Sequence, residues 1–187
     1  MRTTPGGLPD HIEPGVRILF VGINPGLRSA AVGHHFAGYS NRFWKLLYNS
    51  GLVPERLTYL DDTRLPEWGF GLTNVVARPS HGMDALKPAD YRHGRARLLA
   101  KVRHYRPKVV ALLGVTLYSV LFPDERSQRL KRLGPSVRAR VGLQPSALAG
   151  VQVFVLPNPS GRNAHYSYQR MRGLYEALRK FLESDAP

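Results

Sequence analysis

The chain has 187 residues, enough for one domain with a sizeable core, and carries 27 Lys and Arg against 13 Asp and Glu, a formal net charge of +14. This excess, largely arginine, points to a polyanionic partner, nucleic acid first, although a generally basic proteome would give the same balance. With no cysteine, no zinc-like spacing among seven histidines, and no apolar run suited to a membrane span or signal peptide, we expect a cytoplasmic protein without disulfides, metal or cofactor.

The chain then reads as a loose arm followed by alternating strands and helices. Residues 1–15 form the arm, with three prolines and three glycines. Apolar segments predict four strands, over residues 16–22, 71–76, 108–113 and 151–156. Apolar residues at helical spacing predict helices over residues 41–49, 88–105 and 166–183. This alternation predicts one α/β domain over residues 16–183, a three-layer α/β/α sandwich around a short, mostly parallel four-stranded sheet.

Two Asn-Pro turns stand out because each follows a predicted strand. The first is Gly22-Ile23-Asn24-Pro25-Gly26, and the second is Asn158-Pro159-Ser160-Gly161. At the carboxyl end of a parallel strand, such a turn presents a polar side chain where α/β proteins bind ligands. Two turns of this kind in one chain predict a single site built from both.

The two turns resemble the two motifs of the mismatch-specific uracil/thymine-DNA glycosylases, a family within the uracil-DNA glycosylase superfamily. The likeness continues through Gly33-His34-His35-Phe36, Asn41-Arg42-Phe43-Trp44-Lys45 and the segment 71–79, and covers the chain from about residue 16 to 180. Either turn alone is a weak signal. Both in order, about 130 residues apart and each at a strand end, form a specific pattern. The resemblance implies a uracil-DNA glycosylase-like fold and removal of a base from DNA.

Base excision sets clear demands on Asn24. Such an enzyme extracts the base from the duplex, holds it in a pocket and fills the gap that remains. Because the sugar becomes cationic and the base leaves as an anion, the site must place a water at the anomeric carbon and donate hydrogen bonds to the base. The resemblance makes Asn24 the water-positioning residue. Its amide can orient water but is no strong base, and the ordinary alternative is an Asn that caps its own turn.

The resemblance also assigns a base pocket. Phe36 would stack on the flipped base, with a loop phenylalanine buried in the core as the alternative. The backbone of Ile23 and the side chain of Asn74 would read the pyrimidine edge, because an Asn amide both donates and accepts, although Asn74 could serve a local turn. Small residues at Ser29 and Ala30 would leave room for the 5-methyl group of thymine.

The second turn is expected to handle the DNA. By resemblance, the DNA-binding residues are Asn158, Ser160, Gly161, Arg162 and Asn163. Ser160 and nearby amides suit a phosphate, helped by the dipole at the start of the last helix. Arg162 is the predicted wedge that enters the base stack or contacts the widowed base. The family commonly has leucine after the glycine and arginine two residues later, whereas this chain has Arg162 and Ala164.

A catalytic carboxylate is missing from the first turn, where related glycosylases with faster chemistry have an aspartate. Asp84 and Asp90 are the acids nearest the site in the predicted topology, and either could activate water or stabilise the cationic sugar. We assign Asp90 as a second, weaker catalytic candidate. Its alternative role is structural, because Pro88 is expected to open a helix whose dipole an acid in the first turn complements.

The sequence therefore predicts a monomeric, monofunctional glycosylase that removes uracil from mispairs with guanine in double-stranded DNA, with thymine and damaged pyrimidines as further substrates to test. It is predicted to be monofunctional because no lysine in either motif is placed to form a Schiff base. The alternatives are a non-catalytic basic nucleic-acid-binding module and an α/β enzyme acting on free nucleotides. The excess of arginine disfavours the second, and the paired strand-end turns disfavour the first.

Overall fold

The structure, a computed structural model, describes residues 7–123 and 141–184. The strands are β1 Ile18–Gly22, β2 Phe70–Asn74, β3 Val109–Leu113, β4 Gly142–Leu148 and β5 Val151–Leu156. The α-helices are α1 Leu27–Val32, α2 Phe43–Asn49, α3 Pro88–Tyr105, α4 Val115–Leu121 and α5 Tyr168–Ser184. Two 3₁₀ helices span Tyr59–Trp68 and Met83–Ala85.

Within the described residues, the sheet has five strands in the order β2-β1-β3-β5-β4, which corrects the prediction of four. The four predicted strands are all present and parallel, and β4 is an antiparallel edge strand beside β5. The sequence of β4 contains Pro145 and buries little, so it lacks the apolar pattern of a strand. It forms because Ala149 and Gly150 both adopt positive φ, which makes a tight two-residue hairpin turn into β5.

Helices cover both faces of the sheet, as predicted. Successive strand residues point to opposite faces, so Ile18 and Phe20 enter one core while Leu19 and Val21 enter the other. The first core is completed by α2, α5 and the longer 3₁₀ helix, and the second by α3 and α4. The three-layer α/β/α arrangement is confirmed.

The predicted helices match the structure at three of their six ends. Helix α3 spans 88–105 as predicted, while α5 begins two residues late and ends one residue late. Helix α2 begins at Phe43 because the side chain of Asn41 accepts a hydrogen bond from the Phe43 amide at 2.9 Å. The short helices α1 and α4 were not predicted. Within the described residues, no helix is both long and apolar enough to cross a membrane.

The predicted arm is partly packed against the domain. Residues 1–6 of that arm lie outside the described residues. His11 pairs with Leu72 of β2, with hydrogen bonds of 3.1 and 2.8 Å, and Asp10 forms an ion pair with Lys101 of α3 at 2.6 Å. Main-chain pairing and a charge contact therefore hold His11 and Asp10 against the domain, in a segment whose composition looks loose.

Candidate active site

The two strand-end turns come together at one edge of the sheet. The parallel register of β1, β2, β3 and β5 places their carboxyl ends side by side. Gly114, which directly follows β3, lies between the turns. A Cβ added there would be 3.9 Å from Asn158 Cβ and 4.0 Å from Ile23 Cδ1. The two turns therefore lie next to each other at this edge of the sheet, as the two motifs predicted.

The side chain of Asn24 is anchored through its nitrogen. Nδ2 donates to Ser80 Oγ at 2.8 Å, to Pro25 O at 3.1 Å and to Arg78 O at 3.3 Å. Ser80 Oγ uses its own proton toward Gly82 O at 2.6 Å, so it accepts from Asn24. Because two carbonyls and this hydroxyl surround one end of the amide, that end must be the nitrogen.

The oxygen of Asn24 is consequently left available. Among the residues that the structure describes, none donates a hydrogen bond to Oδ1, and the side chain is only half-buried. An amide oxygen held in a fixed direction can accept one hydrogen bond from a water and so direct the water's lone pairs. Asn24 therefore makes the local contact to Pro25 O expected of a turn-capping residue, and it also contacts Arg78 and Ser80, which are distant in the sequence.

Asn74 and Phe36 line the space beside Gly22. A Cβ on Gly22 would overlap Asn74 Oδ1 and would lie 3.7 Å from Phe36 Cζ. The Asn74 amide makes no hydrogen bond to another described residue, so its donor and acceptor groups are both free. The half-buried Phe36 ring packs on Phe43, with centroids 4.2 Å apart and planes 31° apart. Because Gly22 has no side chain, the free amide of Asn74 lies directly against its backbone, with the Phe36 ring beside it.

Ser29 supports the loop that carries Phe36. Its buried hydroxyl accepts a hydrogen bond from the Ala37 amide at 3.0 Å. Arg28 binds the same residue from the other side, with Nε donating to Ala37 O at 2.7 Å. Ser29 therefore has a structural contact that the sequence did not indicate, and its proposed effect on the 5-methyl group stays a prediction.

Asp62 is a buried carboxylate that the sequence analysis did not single out. It lies in the longer 3₁₀ helix with no exposed surface and contacts His34, His35 and His11. Burial alone would raise the pKa of Asp62, but the contacts from His11 and His34 and from the His35 amide outweigh it and lower the pKa to about 2. Asp62 is therefore ionised beneath the loop that precedes Phe36.

The second turn is held by its own side chains. Asn158 Oδ1 accepts from the Ser160 amide at 2.9 Å, and Asn163 Nδ2 donates to Asn158 O at 2.9 Å. Gly161 packs against Ser40 so closely that a Cβ would overlap the serine side chain. These contacts fix the shape of the turn and leave Asn158 on the surface. The last helix begins at Tyr168, eight residues beyond Ser160.

Arg162 reaches from the second turn to the loop after β2. Its exposed guanidinium donates from Nη2 to His81 O at 2.9 Å. The neighbouring Ser80 is the residue that binds the amide of Asn24. The hydrogen bond to His81 holds Arg162 next to the Asn24 site. Because this hydrogen bond is exposed, it costs little to break.

The two candidate carboxylates have different surroundings. Asp90 Oδ2 accepts from the Lys87 amide at 2.9 Å and from Arg78 Nη2 at 3.0 Å, and these contacts, the amide first, lower the pKa of Asp90. Arg78 in turn accepts from Asn24 through its carbonyl. Asp84 is exposed in the short 3₁₀ helix. Over residues 7–123 and 141–184, no three His, Asp or Glu side chains are grouped as a metal site.

The layers, the parallel strands and the edge where the turns meet define a protein of the uracil-DNA glycosylase-like fold. The chain belongs to the uracil DNA glycosylase superfamily, whose family model matches residues 9–181. That match begins within the segment predicted as an arm, which agrees with the packing of His11 against β2.

One curated relative and one solved structure are similar to this chain. The chain is 36% identical over 172 residues to the G/U mismatch-specific uracil DNA glycosylase of Schizosaccharomyces pombe, a match that covers 90% of this chain. It spans about half of that relative's length, 51%. A candidate uracil DNA glycosylase from Methanosarcina acetivorans, solved by solution NMR, superposes with a TM-score of 0.61, covering 95% of this chain and 97% of that one. At 18% identity this second likeness bears on the fold alone.

Proposed function

We propose that this chain is a monofunctional DNA glycosylase that hydrolyses uracil out of G·U mispairs and leaves an abasic site. The observation that carries the proposal is the geometry of Asn24, whose nitrogen is tied to Ser80 and two carbonyls while its oxygen accepts from no described residue. The name of the S. pombe relative supports the same substrate. The charge of +14 supports DNA as the partner.

The reaction we propose uses each part of the edge. The flipped uracil binds beside Gly22, where Phe36 stacks on it and Asn74, with the backbone of Ile23, pairs with its edge. The C1′–N1 bond breaks, and the base leaves as an anion that takes a proton from solvent. A water held by Asn24 Oδ1 adds to the cationic C1′ and releases its proton to solvent. The amide aims this water without accepting the proton.

The decisive experiment is a duplex with one labelled uracil opposite guanine. The purified protein should produce alkali-labile sites at that uracil and release free uracil. A panel with G·T, A·U and single-stranded uracil, and with the free nucleotide, measures the substrate range. If the protein binds these DNAs but cleaves none of them, it is a non-catalytic nucleic-acid-binding module. If it converts only the free nucleotide, it is an enzyme that acts on nucleotides.

We also propose that the enzyme acts as a monomer on nucleoid DNA in the cytoplasm, with no metal or cofactor. The glycosylase domain is proposed as a single unit over residues 16–183, preceded by the arm of residues 1–15. Excision that is unchanged in EDTA, and a rate proportional to protein concentration, are the outcomes that this proposal requires.

We propose Arg162 as the wedge that fills the base stack. The neighbouring residues that hold the turn and contact the DNA backbone are Asn158, Ser160, Gly161 and Asn163. Arg162→Ala should lower the single-turnover rate on a G·U duplex by roughly tenfold, because the emptied position in the stack is no longer filled. The same variant should lose much less on single-stranded uracil, which needs no wedge. Arg172→Ala is the matched control, since Arg172 pairs with Glu176 on α5. An equal loss on both substrates would instead indicate that Arg162 contacts a DNA phosphate. In that case, DNA binding by Arg162→Ala should depend less on salt concentration than DNA binding by the wild type.

The weaker proposal, that Asp90 assists catalysis, can be separated from a supporting role by Asp90→Asn. The amide keeps an acceptor for Lys87 and Arg78 but removes the charge. Loss of a general base costs about 10²-fold or more. Because Asp90 already holds Arg78, whose carbonyl binds Asn24, we expect a loss of less than about tenfold in single-turnover excision. A larger loss would establish the catalytic role, and Asp84→Asn provides the same measurement for the other acid.

A further inference from the structure

The loop that presents Phe36 is held in an unfavourable conformation. Phe36 has φ +53°, in the left-handed region that a bulky residue rarely adopts. Such a conformation persists only where the surroundings over-determine it. The contacts on either side of Phe36 therefore decide where its ring lies.

Asp62 fixes the residues before Phe36. One carboxylate oxygen, Oδ2, accepts from the His35 amide at 2.8 Å, and the other, Oδ1, binds His34 Nδ1 at 2.9 Å. Oδ2 also lies 3.4 Å from His11 Nε2. Charge-assisted hydrogen bonds are stronger than neutral ones, and these act on two successive residues of the loop. After Phe36, Ser29 and Arg28 bind the amide and carbonyl of Ala37.

His35 extends this anchoring to the amino-terminal segment. Its ring is buried, Nε2 lies 2.8 Å from Pro9 O, and its centroid is 5.3 Å from that of His11. Because a carbonyl can only accept, Nε2 carries the proton in this contact. Burial lowers the pKa of His35, which favours the neutral ring. Asp62 therefore contacts or borders three segments: the loop, the amino-terminal segment at His11 and its own 3₁₀ helix.

We propose that Asp62 is a positioning residue that preforms the base-stacking loop by locking residues 34 and 35 against its carboxylate, so that the Phe36 ring stands beside Gly22 and Asn74 before DNA binds. The role in catalysis rests on the proposed function, because it acts through the stacking of Phe36 on the flipped base. Asp62 itself does not touch the substrate.

The first test measures the loop without any substrate. Amide hydrogen exchange should accelerate by on the order of tenfold or more at His35 and its neighbours in Asp62→Ala, because the His35 amide loses its acceptor, while β1 and β3 keep wild-type protection. Asp62→Asn keeps one acceptor and should restore much of the protection at His35. Asp61→Ala is the matched control, since Asp61 lies in the same 3₁₀ helix but binds Thr58. Unchanged exchange in the loop of Asp62→Ala would overturn the proposal.

The second test asks whether Asp62 acts through Phe36. In single-turnover excision, Asp62→Ala should lower the rate in the wild-type background and have little further effect in Phe36→Leu, so the two losses should not multiply. Multiplying losses would place the effect of Asp62 elsewhere and refute the proposal. If Asp62→Ala does not fold, His34→Ala takes its place in both tests; it removes the Oδ1 contact and keeps the acceptor of the His35 amide, so a smaller acceleration, spread over the loop, is expected. If the wild-type protein excises no base, the proposed function fails, and hydrogen exchange alone decides whether Asp62 orders the loop.

Discussion

Asn24→Ala should reduce single-turnover uracil excision from a G·U duplex by roughly 10²-fold or more, with DNA binding nearly unchanged. The reason is positional. The amide of Asn24 is tied to Ser80 Oγ and to the carbonyls of Pro25 and Arg78, so that Oδ1 has one fixed direction in which to hold a water. Removing it leaves an unaligned water in front of C1′.

The control for this variant is Asn49→Ala. The Asn49 amide donates to the hydroxyl of Tyr168 at 2.7 Å, so the substitution also removes one exposed amide hydrogen bond. Excision by Asn49→Ala should equal that of the wild type. If Asn24→Ala retained wild-type excision, Asn24 would be a turn-capping residue and the water would be positioned by another group.

Asn24→Asp should be slow as well, although a carboxylate is the stronger base. One carboxylate oxygen would take the place of Nδ2 and would face the carbonyl oxygens of Pro25 and Arg78, which cannot donate. Ser80 offers one hydroxyl, which already donates to Gly82 O. The surroundings of this position are therefore built for an amide, and a single substitution does not convert it to a carboxylate site. Faster excision by Asn24→Asp than by wild type would contradict this explanation.

The four parallel strands could be predicted because each is buried on both faces and reads as an apolar run. Ile18 and Val110, for example, stand in short apolar runs that are visible without knowing which strands pair. Strand β4 could not be predicted in the same way. Its stability comes from pairing with β5 across the Ala149-Gly150 turn, and its own residues carry almost no apolar pattern.

The site was predictable only as far as local motifs reach. The two turns could be recognised from their Asn-Pro sequences at the ends of predicted strands. The groups that orient them are distant in the sequence: Ser80 lies 56 residues from Asn24, and Asp62 lies 27 residues from His35. The sole sequence signal for Ser80 was its position directly after the segment 71–79 that resembles the family, and Asp62 had none beyond being an acid before β2. Contacts of this kind are made by tertiary packing, which no local pattern encodes.

Gly22→Ala should reduce excision by roughly 10²-fold while the protein stays folded, for a reason different from that of Asn24→Ala. The backbone at Gly22 is not in the left-handed region, so alanine is tolerated by the main chain. The added Cβ would overlap Asn74 Oδ1 and would stand close to the Phe36 ring. Asn74 must then move, and the space that we assign to the flipped base closes. Overpacking of this kind costs about 1–3 kcal/mol of stability, which thermal unfolding measures.

Gly26→Ala is the matched control for Gly22→Ala, because it adds the same methyl group in the same turn. A Cβ on Gly26 would meet nothing within 4 Å, and its φ of −69° suits alanine. Excision by Gly26→Ala should match the wild type. Gly22→Ala should also weaken inhibition by free uracil, whereas Asn24→Ala should leave it intact, because the first change blocks the base and the second removes only the water. If Gly22→Ala were as active as Gly26→Ala, the base could not bind between Asn74 and Phe36, and its binding site would have to lie elsewhere along the same sheet edge.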